Sequence, residues 1–332
     1  MRVRQTLAGS IMLAAGFLSA AFGQTGSAQD SPATVFEIDG ENTVFYVSDV
    51  TDYTRFATIP DRVPAIDPKN FIAFTGLSDI VAVNGKPAKG TWIVRTNGIF
   101  LRPDPAPGEA IADIVRNTMV DQVFELLQSD GTSIGSIMSS GLGGLGPPPP
   151  GAPLSATASN FAITGGTGAF LGARGQIEFV RLPGDAPGVS VVEDPARRRV
   201  NGGGSQKWVV HLIPLITPEI LNIWHSDFAP LTAGNPARPG EVLIALARGL
   251  GPTRPGVDPG SPFAPDPPQI VNSPIEMTIG GQRAEIVNQI GWPGERNLYR
   301  LDFRMPNVSG SREILQFTAA WIKSRAIKIP VR

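Results

Sequence analysis

The sequence predicts an all-β chain of two consecutive domains behind an export signal. Three observations carry that prediction. Gly 38 and Pro 32 together make up about a fifth of the 332 residues. Strand-length runs rich in β-branched and aromatic residues recur between these turn formers, and no long amphipathic helix follows the first thirty residues. The part that remains after a signal is roughly 300 residues, more than one hydrophobic core usually serves, so two cores are expected.

Residues 1–28 read as the signal peptide. Arg2 and Arg4 supply the positive start, Ile11 to Phe22 the short apolar stretch, and Ala21, Gly23, Gly26 and Ala28 the small residues of a cleavage region. The cut is expected between Gly23 and Ala28. The apolar run is short for a membrane span, which takes about 20 residues. The expectation is therefore a secreted or periplasmic protein with no stable membrane insertion. Loss of the two arginines takes the net charge from −1 to −3. Charge this close to neutral gives no general attraction to nucleic acid or anionic lipid, so no nucleic-acid partner is expected. With no cysteine, disulfides, thiol nucleophiles and thiolate metal sites are excluded.

Along residues 33–216, Thr34–Ile38 and Asn42–Ser48 flank Asp39-Gly40 and read as a hairpin. Phe71–Val83 reads as a strand, turned at Asn84-Gly85 and returned by Gly90–Thr96. Pro103–Gly108 reads as loop and Glu109–Met119 as one short helix. Val123–Leu127 and Thr132–Ile137 flank a second hairpin signal, Ser129-Asp130-Gly131. Gly141–Pro153, with four consecutive prolines at Pro147–Pro150, is too stiff and too poor in donors for a sheet interior. Strand residues resume around the glycine-dense Gly165–Gly175, and Lys207–Pro214 closes the domain after a flexible stretch, Leu182–Ser205. Residues 217–239, punctuated by proline, read as a linker. Within 240–332, six or seven strand signals suit a small immunoglobulin-like sandwich. Tyr299, Leu301, Phe303 and Met305 alternate there with Arg300, Asp302 and Arg304, the period of a half-buried antiparallel strand.

Two segments carry resemblances. Phe161–Gln176, with its Gly-Gly-Thr-Gly-x-Phe-x-x-Ala-Arg-Gly order, resembles the strand-turn-strand of dirigent proteins and the related allene oxide cyclase barrel. The likeness is strong over fewer than twenty residues and loose from Val35. The family commonly has Arg where this chain has Leu171. The resemblance implies an antiparallel β-barrel with an apolar interior, a homotrimer, and either guidance of radical coupling or cyclisation of an unsaturated epoxide without a cofactor. Pro239–Ile244, Gly249–Thr253, Met277–Glu285 and Trp292–Gly294 followed by Tyr299–Pro306 resemble a second family. It is the uncharacterised C-terminal β-sandwich domain of secreted proteins from Solibacter-type acidobacteria, and it implies an extracellular accessory module.

No motif identifies a reaction. Gly165-Gly166-Thr167-Gly168 lacks the helix that a dinucleotide fingerprint needs, because Gly172 and Gly175 follow, and it reads as a turn that tightens a barrel corner. His211 and His225 are the two histidines, too few for a zinc site without carboxylates. His225-Ser226-Asp227 holds the residue types of a hydrolytic triad, but neighbours in sequence do not converge in triad geometry. No metal site and no cofactor are expected. The residues proposed to line a barrel interior are Tyr46, Asp79, Trp92, Arg95, Glu125 and Arg174, as apolar walls with polar handles or as carboxylates with anion partners. The expected function is a non-catalytic binding or surface-display module, whose partner is an apolar small molecule or a cell-surface component. The alternative is a cofactor-free isomerase, cyclase or coupling guide acting on an apolar molecule inside the barrel.

Overall fold

The computed structural model describes residues 34–48, 71–99, 117–144, 160–180, 188–190, 193–201, 203–258 and 261–332, all within one compact unit. The signal segment, the Pro103–Gly108 loop, residues 109–116 of the expected helix and the four prolines lie outside them. Asn117–Met119, the end of that expected helix, instead open a strand.

The first sheet contains β1 (Thr34–Ser48), β2 (Phe71–Val83), β3 (Lys86–Ile99), β4 (Asn117–Gln128), β5 (Ser133–Gly144), β6 (Asn160–Gly166), β7 (Arg174–Val180), β8 (Gly188–Ser190) and β9 (Gly204–Ile213). Among the described residues, eight of these strands pair antiparallel in the order β2-β3-β4-β5-β6-β7-β9-β1, and β1 pairs back onto β2. The sheet is thus a closed barrel. The short β8 lies parallel to β1 at Phe45–Val47.

The hairpin expected at Asp39-Gly40 is not formed; β1 is a single strand that runs through it. Gly40 serves packing instead. A Cβ there would sit 2.6 Å from the Trp208 ring and 2.6 Å from Ser78 Oγ. The other two expected hairpins are present. Asn84 and Gly85 both have positive φ (51° and 70°), as the tight β2–β3 turn requires, and Ser129–Thr132 joins β4 to β5.

β1 shifts register against β2 between Asp39 and Gly40 and again between Glu41 and Val44. Before the shifts Phe36 and Ile38 point inward; after them Phe45 points inward and Val44 and Tyr46 outward. The hydrophobic cluster of the barrel comprises Phe36, Ile38, Trp92, Phe124, Ile137, Ile177, Trp208 and their neighbours. Trp208 lies 4.9 Å from Trp92 and meets Phe124 edge-on at 5.4 Å.

Glycines shape the β6–β7 corner for steric reasons. A Cβ on Gly166 would come within 2.4 Å of Phe170 O, and Gly168 has φ of 60° with Ile134 O in the way. Only a three-residue 3-10 turn, Gly168–Phe170, follows.

The second sheet contains β10 (Glu219–His225), β11 (Val242–Arg248), β12 (Thr253–Arg254), β13 (Ile270–Val271), β14 (Ile275–Ile279), β15 (Gln282–Gly291), β16 (Leu298–Arg304), β17 (Arg312–Ala319), β18 (Ile322–Lys323) and β19 (Ile327–Pro330). Its main path is β10-β11-β16-β15-β14-β17-β18. It curls around Leu243, Ala245, Met277, Leu301, Phe303 and Phe317, so the chain is a barrel followed by a sandwich-like second sheet. The stretch read as linker therefore contains a strand, β10, paired along β11. Pro218 and Pro230 bracket it and obscure its short apolar pattern in the sequence.

The second sheet also closes one end of the barrel. The two-residue turn Ala320-Trp321 between β17 and β18 has positive φ at both positions, 47° and 64°, a costly conformation for a tryptophan. Burial offsets the strain. Ala320 belongs to the barrel core, and the Trp321 ring stacks at 3° on Phe170 and lies 5.8 Å from Phe36. Gln128 and Lys86 at the same end bond to Asn272 O and Glu276.

Trp321→Ala is expected to lower stability by about 2–3 kcal/mol, short of the 3–5 for a fully buried Trp because the ring is only half-buried. In urea unfolding, the wild type should show one transition and the variant an earlier or split one.

Candidate functional site

The end of the barrel away from Trp321 differs in kind from the plugged end. The strand ends Ser48, Phe71, Ile99, Asn117, Gly144, Asn160 and Val180 lie at that rim, and the residues that follow or precede them in sequence are outside the described ones. Below the rim, period-two alternation turns Val120, Gln122, Phe124 and Leu126 inward on β4, and Gln206, Trp208, Val210 and Leu212 inward on β9. Two amides thus occupy positions that the pattern otherwise gives to apolar side chains.

Four buried polar atoms here have no hydrogen-bond partner among the described residues: Gln122 Nε2, Ser139 Oγ, Gln206 Oε1 and Trp208 Nε1. None of the four side chains is more than 5% exposed. Gln122 and Ser139 stand opposite each other on β4 and β5, where facing side chains touch. Trp92 donates its indole N–H to Gln122 Oε1 at 2.9 Å, which orients the amide and leaves its NH2 group free. The Trp92 ring also contacts the Trp208 ring, and Gln206 is the next inward residue on β9. An orphaned buried donor or acceptor costs about 1–3 kcal/mol. Two of the four lie on β4 and β5 and two on β9, across the barrel, so they place unmet hydrogen-bonding capacity on both sides of one aromatic cluster. By contrast Thr43 donates to Ser78 Oγ, which donates to Glu41 O, and Thr96 to Phe74 O.

Of the six residues expected inside the barrel, Trp92 alone is there. Arg95, Glu125 and Arg174 are exposed on the outer wall. Trp92 and Arg95 are three apart on one strand, so alternation puts them on opposite faces, and Glu125 follows the inward Phe124. Arg174 donates to Thr164 O at 2.8 Å and Ala173 O at 2.9 Å, tying down the glycine corner.

Tyr46 and Asp79 lie outside the wall, against the outer residues 188–190 and 193–201. Asp79 accepts from Arg199 Nε and Nη2 at 2.8 and 2.7 Å, from Arg198 at 2.5 Å and from Asn42 at 3.1 Å. Hydrogen bonds from Arg199, then Arg198 and Asn42, outweigh burial and hold its carboxyl below the usual range. The Tyr46 hydroxyl is buried without a partner among the described residues, and burial pushes its pKa up. Asp79 fastens the outer segment and takes no part in the interior.

Sequence reasoning passed over Gln122, Ser139 and Gln206. The available signal was a polar residue in the apolar phase of an alternating strand.

His225 belongs to no triad. Its Nδ1 lies 2.5 Å from Glu241 Oε1 and its Nε2 3.1 Å from Asn235 O, while Asp227 accepts from Ala229 N. Both ring nitrogens face acceptors, so both must donate and the ring is held as the cation. Burial pulls its pKa down, but Glu241, the Asn235 carbonyl and Asp227 outweigh it and the net shift is upward. Among the described residues, no group of three or more His, Asp or Glu could hold a metal ion.

No protein-family model matches this chain, and no curated protein matches it. A solved structure, pyocyanin demethylase, is similar at a TM-score of 0.25 and 16% identity, covering 54% of this chain and 97% of that one. That likeness is too slight to say what this chain binds.

The His225 cation contributes stability that is complete below about pH 6.5 and is lost as pH rises through the raised folded value. Urea midpoints of the wild type should fall between pH 6 and pH 9. In His225→Asn they should already be low at pH 6 and change less.

Proposed function

We propose that this is an exported binding protein whose barrel holds a small, largely apolar, uncharged molecule without transforming it. The observation that carries this reading is the set of four unpartnered polar atoms beneath the rim. They offer donors from Gln122 and Trp208, an acceptor from Gln206 and either from Ser139. A ligand with hydrogen-bonding groups on two sides would satisfy them, and its apolar body would lie against Trp92 and the neighbouring phenylalanines.

Binding is favoured over catalysis by the character of the wall. Among the described residues, the inward-facing strand positions carry no ionisable side chain, so none of these positions supplies a general acid or base to the four polar atoms. The same neutrality argues against a charged ligand, which would lose its hydration for no opposite charge. The export signal read in residues 1–28 supports a location outside the cytoplasm. The outward Ile93, Val123 and Met138 stand in one row across β3, β4 and β5 and are all exposed. That apolar row supports self-association through the outer wall, in keeping with the trimers of the dirigent-like family.

Native mass spectrometry of the mature protein from its host's exported fraction tests both points. A retained molecule of low mass is expected on the wild type. It should be lost or diminished at least tenfold in the double variant Gln122→Leu/Ser139→Ala. That variant removes two orphaned polar groups but also the Gln122 acceptor of the Trp92 indole N–H, so the effects offset and its stability should stay close to the wild type's. A ligand-free wild type, or equal retention by the variant, would overturn the reading. The same spectrum reports the assembly mass.

A further inference from the structure

A cavity outside the barrel has no part in that reading. It holds about 320 Å³ between the β6–β7 corner, the connector after β9 and the loops of the second sheet, within the range typical of small-molecule pockets. Its floor is aromatic: Phe263 and Tyr299 line it with ring centroids 5.1 Å apart. Leu171, Leu215 and Ile216 line its mouth and remain 60, 66 and 55% exposed. Three large apolar side chains left open to water around one cavity are unusual for a mere packing gap.

The walls are fixed. Tyr299 donates its hydroxyl to Gly251 O at 2.7 Å, and burial raises its pKa to about 12, so it stays neutral. Thr253 donates to Pro255 O, and the Thr167 hydroxyl is engaged with Ser136. The lining hydroxyls are thus committed. What remains are the neutral amide of Asn297 and the carboxylate of Asp258, both exposed and with no side-chain partner among the described residues, and of the two Asp258 alone carries a charge. A carboxylate accepts and cannot donate.

We infer that this cavity binds small amphiphilic amines, with the apolar body on Phe263 and Tyr299 and the ammonium group at Asp258. Most of the affinity comes from the apolar body. An ion pair at an exposed carboxylate adds little, so the charge acts mainly as a selector, with a preference of about two- to fivefold for amine over neutral alcohol.

Gly256 supplies a clean block. It lines the cavity, its φ is outside the left-handed range, and a Cβ there would meet only Thr253 O, at 3.8 Å. Gly256→Leu should therefore fill the space without disturbing the fold.

The test titrates 2-phenylethylamine, 2-phenylethanol and 3-phenylpropanoate into the full mature chain, followed by amide shifts in NMR. The amine, with nine heavy atoms, should bind saturably with a Kd on the order of 0.1–1 mM. Its shifts should centre on Gly251, Phe263 and Tyr299 and not on Trp208, which separates this cavity from the barrel interior. Gly256→Leu should weaken binding at least tenfold with thermal stability unchanged. Asp258→Lys, at an exposed position that does not endanger folding, should invert the order so that the propanoate binds more tightly than the amine. No saturable binding, shifts centred on the barrel, undiminished binding in Gly256→Leu, or an order of preference that survives Asp258→Lys would each overturn the inference.

Discussion

Strand β1 must hydrogen-bond along both edges, and the rest of the barrel depends on it. Without its pairing to β2 on one side and β9 on the other, the eight strands would be an open sheet with two exposed edges. Closing a twisted sheet requires a strand to bend, and β1 bends through register shifts on both sides within Asp39–Val44. The shifts have a cost in side-chain placement. They roll Val44 and Tyr46 out of the interior, where residues 188–190 and 193–201 must cover them. The paired arginines Arg198 and Arg199 then anchor that cover to Asp79 on β2. An outer segment that looks like decoration thus follows from how the barrel closes.

The same bend accounts for much of what the sequence showed and concealed. Alternation was legible wherever a strand runs straight: Tyr299, Leu301 and Phe303 are buried as their spacing predicts, and the turns at Asn84-Gly85 and Ser129–Gly131 sit where their residues place them. Asp39-Gly40 misled because a glycine has two uses. A turn needs its freedom at positive φ; Gly40 is needed because the Trp208 ring occupies the place of a side chain. Those two demands leave the same letter in a sequence. Tyr46, chosen for its residue type, lies outside because the register shifts in β1 reverse the phase that turns Phe36 and Ile38 inward.

The interior polar residues were hidden for a different reason. Candidates were sought among charged and aromatic residues, the types that do chemistry in most sites. Arg95, Glu125 and Arg174 are outward because a small barrel has no dielectric room for an uncompensated charge. Neutral amides can be accommodated there at lower cost. Gln122 and Gln206 carry little signal by residue type and a clear one by phase, each falling in register with buried aromatic residues two positions along.

The division of the barrel into a plugged end and a polar end follows from where its two sources of order lie. At one end Trp321 is driven into an unfavourable backbone conformation and repaid by stacking on Phe170 and Phe36, which ties the second sheet to the barrel floor. Rigidity there allows the other end to carry unpartnered polar atoms, since a barrel whose base is braced can bear a few kcal/mol of unsatisfied hydrogen bonding near its rim. A protein under selection for stability alone would have filled the Gln122, Ser139 and Gln206 positions with the Val, Ile and Leu that occupy their neighbours. Their retention beside four aromatic rings places the local cost where a ligand could recover it. The second sheet, by bracing the base, then contributes to binding at the barrel's rim without touching what is bound there.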